Sequence, residues 1–226
     1  KEPLAIHGYR TDERDAAVRE TLERVGMAPA ERYLDKYPNE LSGGQRQRVA
    51  IARALVIDPE FLICDEPASM LDVSLQAEVL NLLRSLANTE DIGVLYISHD
   101  LASLTQIADR LSIMYLGRFA ETGPTERIVT DPKHPYTEAL LAAVPETDPR
   151  GSRDRVILEG EPADPEGSPQ GCRFAPRCPK ATERCRESEP QLHAWSGPEH
   201  SAACFHPHEA SAVGEPARVE EPAETD

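Results

Sequence analysis

The chain has 226 residues, of which 39% are hydrophobic, enough for one substantial core and a smaller second unit. Its formal net charge is −16, from 24 Lys and Arg against 40 Asp and Glu, so electrostatics disfavour a nucleic-acid partner. No apolar run approaches the roughly 20 residues that cross a bilayer, which predicts a soluble or peripheral protein.

Hydrophobic spacing in the first hundred residues predicts alternating helices and strands. The predicted elements are, in chain order, a helix over 11–25, a helix over 44–58, a strand over 61–64, a helix over 75–86 and a strand over 94–97. Gly26 and Pro59 end the first two helices, because glycine favours a helix end and proline cannot continue a helix. Two uninterrupted apolar strands around a helix predict buried strands of a parallel sheet, hence an α/β fold.

The composition of the rest of the chain changes after an initial β segment. Its predicted elements are two strands within 110–122 that turn at Gly117, a helix over 124–129 and a helix over 136–144. Prolines, glycines and four cysteines follow, which indicates a separate, loop-rich appendage. Residues 210–226 cannot bury enough apolar surface to offset their ordering entropy, so we expect them to be disordered.

Asp65 and Glu66 follow the first strand, at the edge where open α/β sheets bind ligands. Adjacent carboxylates there suit phosphoryl transfer, with Asp65 toward Mg²⁺ and Glu66 toward the water that attacks a γ-phosphate. A solvated pair that merely ends a strand is the alternative. The neighbouring motifs favour the first interpretation.

Ser42-Gly43-Gly44 immediately precedes the second helix. A hydroxyl and bare backbone at a positive helix terminus favour an anion such as a terminal phosphate, and glycine lets it approach. An ordinary capping turn is the alternative. His99 follows the second strand and, taken alone, is typical of a helix cap.

Four motifs in register resemble the ATP-binding-cassette (ABC) family. They are Leu-Ser-Gly-Gly-Gln-Arg-Gln-Arg (41–48), Leu-Ile-Cys-Asp-Glu-Pro (62–67), Ser-Met-Leu-Asp (69–72) and Ile-Ser-His-Asp (97–100). The resemblance implies an α/β, P-loop NTPase-like ATPase core with a helical subdomain that binds ATP and Mg²⁺. It also implies that two subunits sandwich two ATP molecules.

The resemblance implies a role for each motif residue. The residues implied to bind nucleotide are Ser42, Gly43, Gly44, Gln45, Asp65 and Asp72. Of these, the signature residues 42–45 act on the ATP of the opposite subunit, and Asp72 lies in the loop that crosses the dimer interface. Glu66 is implied to be the catalytic carboxylate, and His99 is implied to contact the γ-phosphate during catalysis.

Two departures from the family pattern bear on function. Met70 replaces a small residue of the interface loop, which is minor. No Gly-x-x-x-x-Gly-Lys-Ser/Thr occurs in the 226 residues, and the glutamine loop is missing too. Because residues 2–8 resemble the stretch after that loop in peptide-importer ATPases, we expect an amino-terminally incomplete chain that is inactive alone. An inactive partner lending its signature loop is one alternative; a cassette protein acting on ribosomes or DNA is another.

The carboxyl-terminal half narrows the resemblance. His-Pro-Tyr-Thr (134–137), Ala-Leu-Leu (139–141), Gly-Glu-Pro (160–162) and the cysteines resemble the extension of oligopeptide, dipeptide and nickel importer ATPases. This implies the motor of an importer at the cytoplasmic face of the membrane. The implied partners are a second ABC ATPase subunit, two transmembrane permease subunits and an extracellular solute-binding protein. Peptide, nickel and sugar remain open as the solute.

Four cysteines offer thiolate ligands on a segment too poor in apolar residues to fold on its own core: Cys172, Cys178, Cys185 and Cys204. We favour a 4Fe-4S cluster, which some family members bind, over zinc, because Cys-x2-Cys spacing is lacking. Two disulfides or free thiols are the alternative. Cys64, within a strand, is interpreted as a small apolar residue. The nearby histidines are interpreted as solvated: His193, His200, His206 and His208.

We therefore expect four segments. They are part of a helical signature subdomain (1–43), the ATPase core with the signature helix and the later motifs (44–130), a loop-rich carboxyl-terminal metal-binding extension (131–208) and a disordered acidic tail (209–226). No nucleic-acid partner is expected.

Overall fold

The computed structural model describes residues 1–69, 71–144, 170–195 and 197–208. The chain divides into two compact units, Lys1–Ile107 (unit 1) and Ala108–Asp226 (unit 2). In the described part of the chain, no helix has both the length and the apolar character needed to cross a membrane. The predictions for Met70, for 160–162 and for the tail from 209 onward fall outside the described residues.

Unit 1 consists of helices around a pair of parallel strands. Its elements are α1 (Glu2–Ile6), α2 (Thr11–Arg24), α3 (Gly43–Leu55), β1 (Phe61–Asp65), α4 (Val73–Thr89), β2 (Gly93–Ile97) and α5 (Leu101–Ile107). Single 3-10 turns lie at Ala30–Arg32 and Pro38–Glu40. The predicted helices and strands are confirmed to within a few residues at each end. Gly26 follows α2 with φ 77°, a conformation that suits glycine and ends the helix.

The parallel pair has one covered face and one open face. β1 and β2 align from Phe61 opposite Gly93 to Asp65 opposite Ile97. Leu62 and Cys64 point into the core, whereas Phe61 and Ile63 are 57% and 64% exposed. Because side chains alternate along a strand, every second residue of β1 lies on the open face. The prediction of fully buried strands is therefore wrong: the apolar run is continuous, but only one face is covered.

The core of unit 1 lies between the covered face of β1 and helices α2, α3 and α4. Each helix places a stripe of apolar residues at three- to four-residue spacing against the others. Its buried members include Leu22, Val25, Ile51, Leu55, Leu62, Cys64, Val79, Leu83 and Leu86. Burial also raises the pKa of the Cys64 thiol to about 11, which confirms its interpretation as a small apolar residue.

Unit 2 is built on a four-stranded antiparallel sheet. Its elements are β3 (Arg110–Tyr115), β4 (Arg118–Pro124), α6 (Thr125–Thr130), α7 (Pro135–Ala143), α8 (Glu183–Glu187), β5 (His193–Ala194) and β6 (Ser201–Ala202), with a 3-10 turn at Ala175–Arg177. The strand order is β3-β4-β6-β5. Leu116 and Gly117, both at positive φ, form the predicted hairpin turn. The two-residue strands β5 and β6 were not predicted, because they are too short to show a period.

Candidate functional site

Glu66 directly follows β1 in a backbone conformation that residues with side chains rarely adopt. Its φ is 47°, and its N–H donates to the Ile97 carbonyl at the end of β2 over 2.9 Å. A left-handed backbone at a non-glycine residue costs on the order of 1–3 kcal/mol and persists where surrounding bonds enforce it. The turn therefore holds the Glu66 carboxylate at the carboxyl-terminal edge of the parallel pair.

His99 follows β2 and bonds Glu66 twice. Its backbone N–H donates to Glu66 Oε1 over 3.0 Å, and its ring Nδ1 lies 2.8 Å from the same oxygen. The bond to His99 is the main reason that the pKa of Glu66 is lowered, and the bond to Glu66 is the main reason that the pKa of His99 is raised. Both side chains face solvent, with 36% of Glu66 and 80% of His99 exposed. The pair is oriented and accessible to a ligand.

The other predicted carboxylates stand at the ends of neighbouring elements. Asp65 is the exposed last residue of β1, one position before Glu66. Asp72 is the N-cap of α4, and its carboxylate accepts a hydrogen bond from the Leu75 N–H over 3.0 Å. A carboxylate at a helix N-terminus is favoured by both the cap and the helix dipole. The interface role of Asp72 stays a prediction.

The signature residues begin α3. Ser42 is its N-cap: Ser42 Oγ accepts from the Gln45 N–H over 3.2 Å, and Gln45 Oε1 accepts from the Ser42 N–H over 3.1 Å. This reciprocal capping box satisfies two backbone donors and fixes the turn. The turn therefore does cap the helix, as the alternative interpretation predicted. A role in nucleotide binding stays a prediction, because a capped helix terminus can still present its remaining N–H groups to a ligand.

The packing of unit 1 leaves little room for a side chain at Gly44. It is buried, and a Cβ there would lie 2.9 Å from Leu75 Cδ2 at the beginning of α4. At Gly43 a Cβ would meet Leu71 at an ordinary 3.5 Å. Phosphate approach was the predicted reason for both glycines; at Gly44, close packing of α3 against the end of the Leu75 side chain adds a second reason. Gly43 is the glycine that packing does not require.

Two further polar residues fix the turn that carries His99, and the sequence analysis missed both roles. Asp100 accepts hydrogen bonds from the Ala102 N–H and from Gln76 Nε2, each over 3.1 Å, and it caps α5. Gln76 also donates to Ser103 Oγ over 3.0 Å. An Asp just before a helix is a recognisable capping signal, whereas a glutamine within a helix carries none.

The structure brings some predicted residues together and not others. Glu66 and His99 are bonded, and the caps Ser42 and Asp72 begin two helices that pack against each other. Among the described residues of unit 1, no hydrogen bond or ion pair joins Ser42 to Glu66 or His99. The signature turn and the Glu66–His99 pair are therefore separate groups in one chain.

The four carboxyl-terminal cysteines line one pocket of unit 2, together with His134, Lys180 and His206 among others. All four are free thiols. Burial is the main cause of the raised pKa of Cys172, Cys178 and Cys204, which reaches about 11 for Cys204. Buried thiols of this kind keep their protons at neutral pH unless a cation displaces them.

The predicted metal centre is not confirmed. Within residues 1–69, 71–144, 170–195 and 197–208, no group of three or more His, Cys, Asp or Glu side chains is arranged to hold a metal ion. Among the described residues, the four cysteines share a pocket, but their side chains are not arranged as a ligand set for a metal ion. The coarser description of unit 2 as a cysteine-lined extension stands.

A buried carboxylate, which the sequence analysis did not single out, organises unit 2. Glu121 on β4 has no exposed surface and accepts hydrogen bonds from the N–H groups of Lys133 and His134 over 2.8 and 2.9 Å. His200, 1% exposed, lies with Nε2 2.6 Å from Glu121 Oε1. The interpretation of His200 as solvated is wrong: its ring is buried, with Nε2 against Glu121 and with Nδ1 lacking a hydrogen-bond partner among the described residues. We call these four residues the Glu121 network.

Comparison with known proteins places both units. Residues 3–69 match the family described as ABC transporter, and residues 120–185 match the oligopeptide/dipeptide transporter C-terminal region. A structure of an ATP-binding cassette of an ABC transporter, in its ADP conformation, is 26% identical with a TM-score of 0.50 and covers 57% of this chain and 51% of that chain. The mixed α/β architecture is thus that of a cassette ATPase.

Curated relatives match over most of the chain. The dipeptide transport ATP-binding protein DppF of Haemophilus influenzae is 48% identical over 207 residues, covering 91% of this chain and 62% of the relative. The oligopeptide transport ATP-binding protein AppF of Bacillus subtilis is 46% identical over 207 residues, covering 90% and 62%. The chain thus spans less than two thirds of the length of these relatives. The matches show that it belongs to the ABC-transporter ATP-binding proteins of the oligopeptide and dipeptide transporter group.

Proposed function

We propose that the chain is the ATP-hydrolysing motor subunit of an ABC importer for peptides. The observation that carries this proposal is the Glu66–His99 pair: a strained turn presents a carboxylate, and a histidine bonded to it twice keeps it oriented and ionised. Phosphoryl transfer needs mainly such positioning and charge, rather than covalent chemistry by the protein. The names of the relatives support the peptide substrate; nickel and sugar are the alternatives.

The chain's own residues have distinct tasks in this proposal. Glu66 accepts hydrogen bonding from the attacking water, and its lowered pKa keeps it ionised for that purpose. His99, held by Glu66, contacts the γ-phosphate. Asp65 is the ligand toward Mg²⁺, which suits a hard carboxylate oxygen at the edge of the strands, and bound Mg²⁺ would neutralise phosphate charge.

The site is composite in this proposal. Ser42, Gly43, Gly44 and Gln45 contact the nucleotide of a second ABC ATPase subunit, and Asp72 lies at that interface. Among the described residues of one chain, no hydrogen bond or ion pair joins the signature turn to the Glu66–His99 pair, which is compatible with each group acting at a different nucleotide. The subunit would act at the cytoplasmic face of the membrane with two permease subunits and an extracellular solute-binding protein.

One observation favours a second candidate, an inactive partner that lends its signature turn to an active subunit. No Gly-x-x-x-x-Gly-Lys-Ser/Thr occurs in residues 1–226. The gene sequence upstream of Lys1 separates the two candidates. An open frame encoding that motif removes the inactive-partner candidate; a start codon with no such motif removes the motor.

The test of the motor is ATP hydrolysis by the complete subunit, meaning residues 1–226 joined to their phosphate-binding loop. Glu66→Gln should lower kcat by at least about a hundredfold, because it removes a general-base carboxylate, while ATP still binds. Glu20→Gln, at an exposed position of α2, is the matched control and should leave kcat unchanged. Substantial steady-state hydrolysis by Glu66→Gln would remove Glu66 from its role.

We also propose that the cysteine pocket takes up a 4Fe-4S cluster, with zinc as the alternative. Support comes from the place of Cys172, Cys178, Cys185 and Cys204 on one pocket. Burial raises the pKa of Cys204 to about 11, so that thiol would need a cation to become a thiolate. Anaerobic purification should give about four iron and four sulfide per chain. Cys204→Ala should lose them, and Cys64→Ala should keep them. A colourless protein with stoichiometric zinc would assign the site to zinc. A protein that contains neither iron nor zinc would contradict the proposal of a metal site.

A further inference from the structure

Gln76 joins two segments that the proposed reaction uses. It lies in the first turn of α4, and its backbone N–H donates to the Asp72 carbonyl over 2.8 Å. Its side-chain Nε2 reaches the next turn, donating to Asp100 Oδ2 over 3.1 Å and to Ser103 Oγ over 3.0 Å. One amide therefore connects the helix that starts at Asp72 with the turn that carries His99.

The donors and acceptors in this contact require an amide at position 76. Ser103 Oγ donates to Asp100 Oδ2, and that bond is the main reason that the pKa of Asp100 is lowered. The hydroxyl proton is therefore used, so the hydroxyl can only accept from Gln76, and the ionised carboxylate also only accepts. Gln76 supplies two donors from one nitrogen, which neither glutamate nor leucine can do.

The turn itself has few other restraints. His99 is 80% exposed, so packing does not hold its ring. The backbone on one side is fixed by the two bonds to Glu66, and on the other side by Asp100, whose N–H donates to Ser98 Oγ over 3.0 Å. Asp100 is in turn held by Gln76 and Ser103. Removing the Gln76 amide would loosen Asp100, whereas the hydrogen bonds between His99 and Glu66 could still form.

We propose that Gln76 is a positioning residue for hydrolysis: it fixes the His99 turn to the beginning of α4, so that His99 meets Glu66 in the reactive geometry. Gln76 touches neither the carboxylate of Glu66 nor the ring of His99, and it acts through Asp100. The inference rests on the proposed ATPase function. It adds a structural connection within one chain, through which a movement of Asp72 at the proposed subunit interface would change the position of His99 relative to Glu66.

Gln76→Leu in the complete subunit tests this inference. The leucine keeps the helix and the side-chain volume but removes both donors, so kcat for ATP should fall about tenfold while KM for ATP stays within about twofold. The matched control is Asn81→Leu, the same loss of an amide at an exposed position of α4, which should leave kcat unchanged. The reciprocal variant Gln76→Glu with Asp100→Asn restores a carboxylate–amide pair and should recover most of the loss.

A double-mutant cycle separates positioning from general damage. If Gln76 acts through His99, Gln76→Leu should cost little further kcat in a His99→Ala background. A further tenfold loss there, or full activity of Gln76→Leu alone, would overturn the inference. The reciprocal variant decides the same point if Gln76→Leu does not fold. An unmodified subunit without hydrolysis would instead remove the proposed function, and the inference with it.

Discussion

Two glutamate–histidine contacts, one in each unit, share their chemistry and differ in their surroundings. Glu66 and His99 lie 2.8 Å apart with 36% and 80% of their side chains exposed. Glu121 and His200 lie 2.6 Å apart with 0% and 1% exposed. Each carboxylate also accepts from backbone N–H groups. The open pair can meet a ligand, whereas the buried pair is closed off from solvent.

The surroundings suit the two pairs to different roles. An exposed contact is screened by water, adds little stability and stays available for chemistry, as the proposed function requires of Glu66 and His99. A buried carboxylate needs hydrogen-bond partners, because a charge left without partners in the interior is costly. The Glu121 network therefore fixes β4 to the Lys133-His134 turn and to the segment that enters β6.

The largest effect is expected at Glu121. Glu121→Ala leaves two buried N–H groups and the His200 ring without their acceptor, so the free energy of unfolding of unit 2 should fall by about 3–5 kcal/mol. Urea unfolding followed by fluorescence of Trp195, the one tryptophan of the chain and a part of unit 2, measures it. Glu126→Ala, at an exposed position of α6, is the matched control.

Glu66→Ala completes the comparison. Because Glu66 is exposed, this variant should unfold at the same temperature as the unmodified chain in a circular-dichroism melt, although its proposed activity is lost. Unfolding of Glu121→Ala at the same urea concentration as the control would contradict the structural role of Glu121. A large loss of stability in Glu66→Ala would contradict the functional assignment of the open pair.

Acid should destabilise unit 2 through His134. Its ring Nδ1 accepts from the Tyr136 N–H at the start of α7, and burial lowers its pKa from 6.5 to about 4. A lowered histidine pKa means that the unfolded chain binds the proton more readily. Stability that is complete above pH 6.5 should therefore decrease as the pH falls toward 4, by on the order of 3 kcal/mol. Urea unfolding of unit 2 at several pH values measures this slope.

His134→Asn is the informative variant for that slope. Asparagine can still accept a hydrogen bond at a helix N-cap but has no proton to bind in this range. The variant should therefore show a shallower decrease of stability between pH 6.5 and 4 than the unmodified chain. Equal slopes in the two proteins would show that His134 is not the group responsible.

The open pair should titrate in the opposite direction and with a smaller effect. The hydrogen bond to Glu66 raises the pKa of His99 above 6.5, and the hydrogen bond to His99 lowers the pKa of Glu66 below 4.5. The charged pair should disappear as the pH rises through the raised pKa of His99. An NMR titration of the His99 ring should show this value return toward 6.5 in Glu66→Gln. A value at or below 6.5 in the unmodified chain would contradict the pairing.

The sequence predicted the elements of unit 1 better than the contacts that make its site work. Periodicity identified α2, α3 and α4 and both parallel strands, and motif spacing singled out Glu66 and His99, whose functional roles stay predictions. It failed where the answer depends on tertiary neighbours: the open face of β1, the packing reason for Gly44 and the link through Gln76. A glutamine in a helix looks the same in sequence whether it faces water or Asp100.

In unit 2 the failure has the same cause. Glu121 and His200 are 79 residues apart, and charged residues in a sequence are normally interpreted as exposed. Only the antiparallel contact of β4 with β6 brings them together. The four cysteines were predicted to converge and do line one pocket, yet whether a metal holds them depends on protonation and distance, which spacing does not determine.

The central claim is that the catalytic pair of one subunit works on ATP held by the signature turn of another. Mixing two inactive variants of the complete subunit, Glu66→Gln and Ser42→Arg, tests it most directly, once the unmodified subunit alone hydrolyses ATP. Mixed dimers hold one site with both an intact Glu66 and an intact Ser42, so activity should return to about a quarter of the unmodified level. No activity in the mixture would contradict the claim and place both residues in one subunit's site.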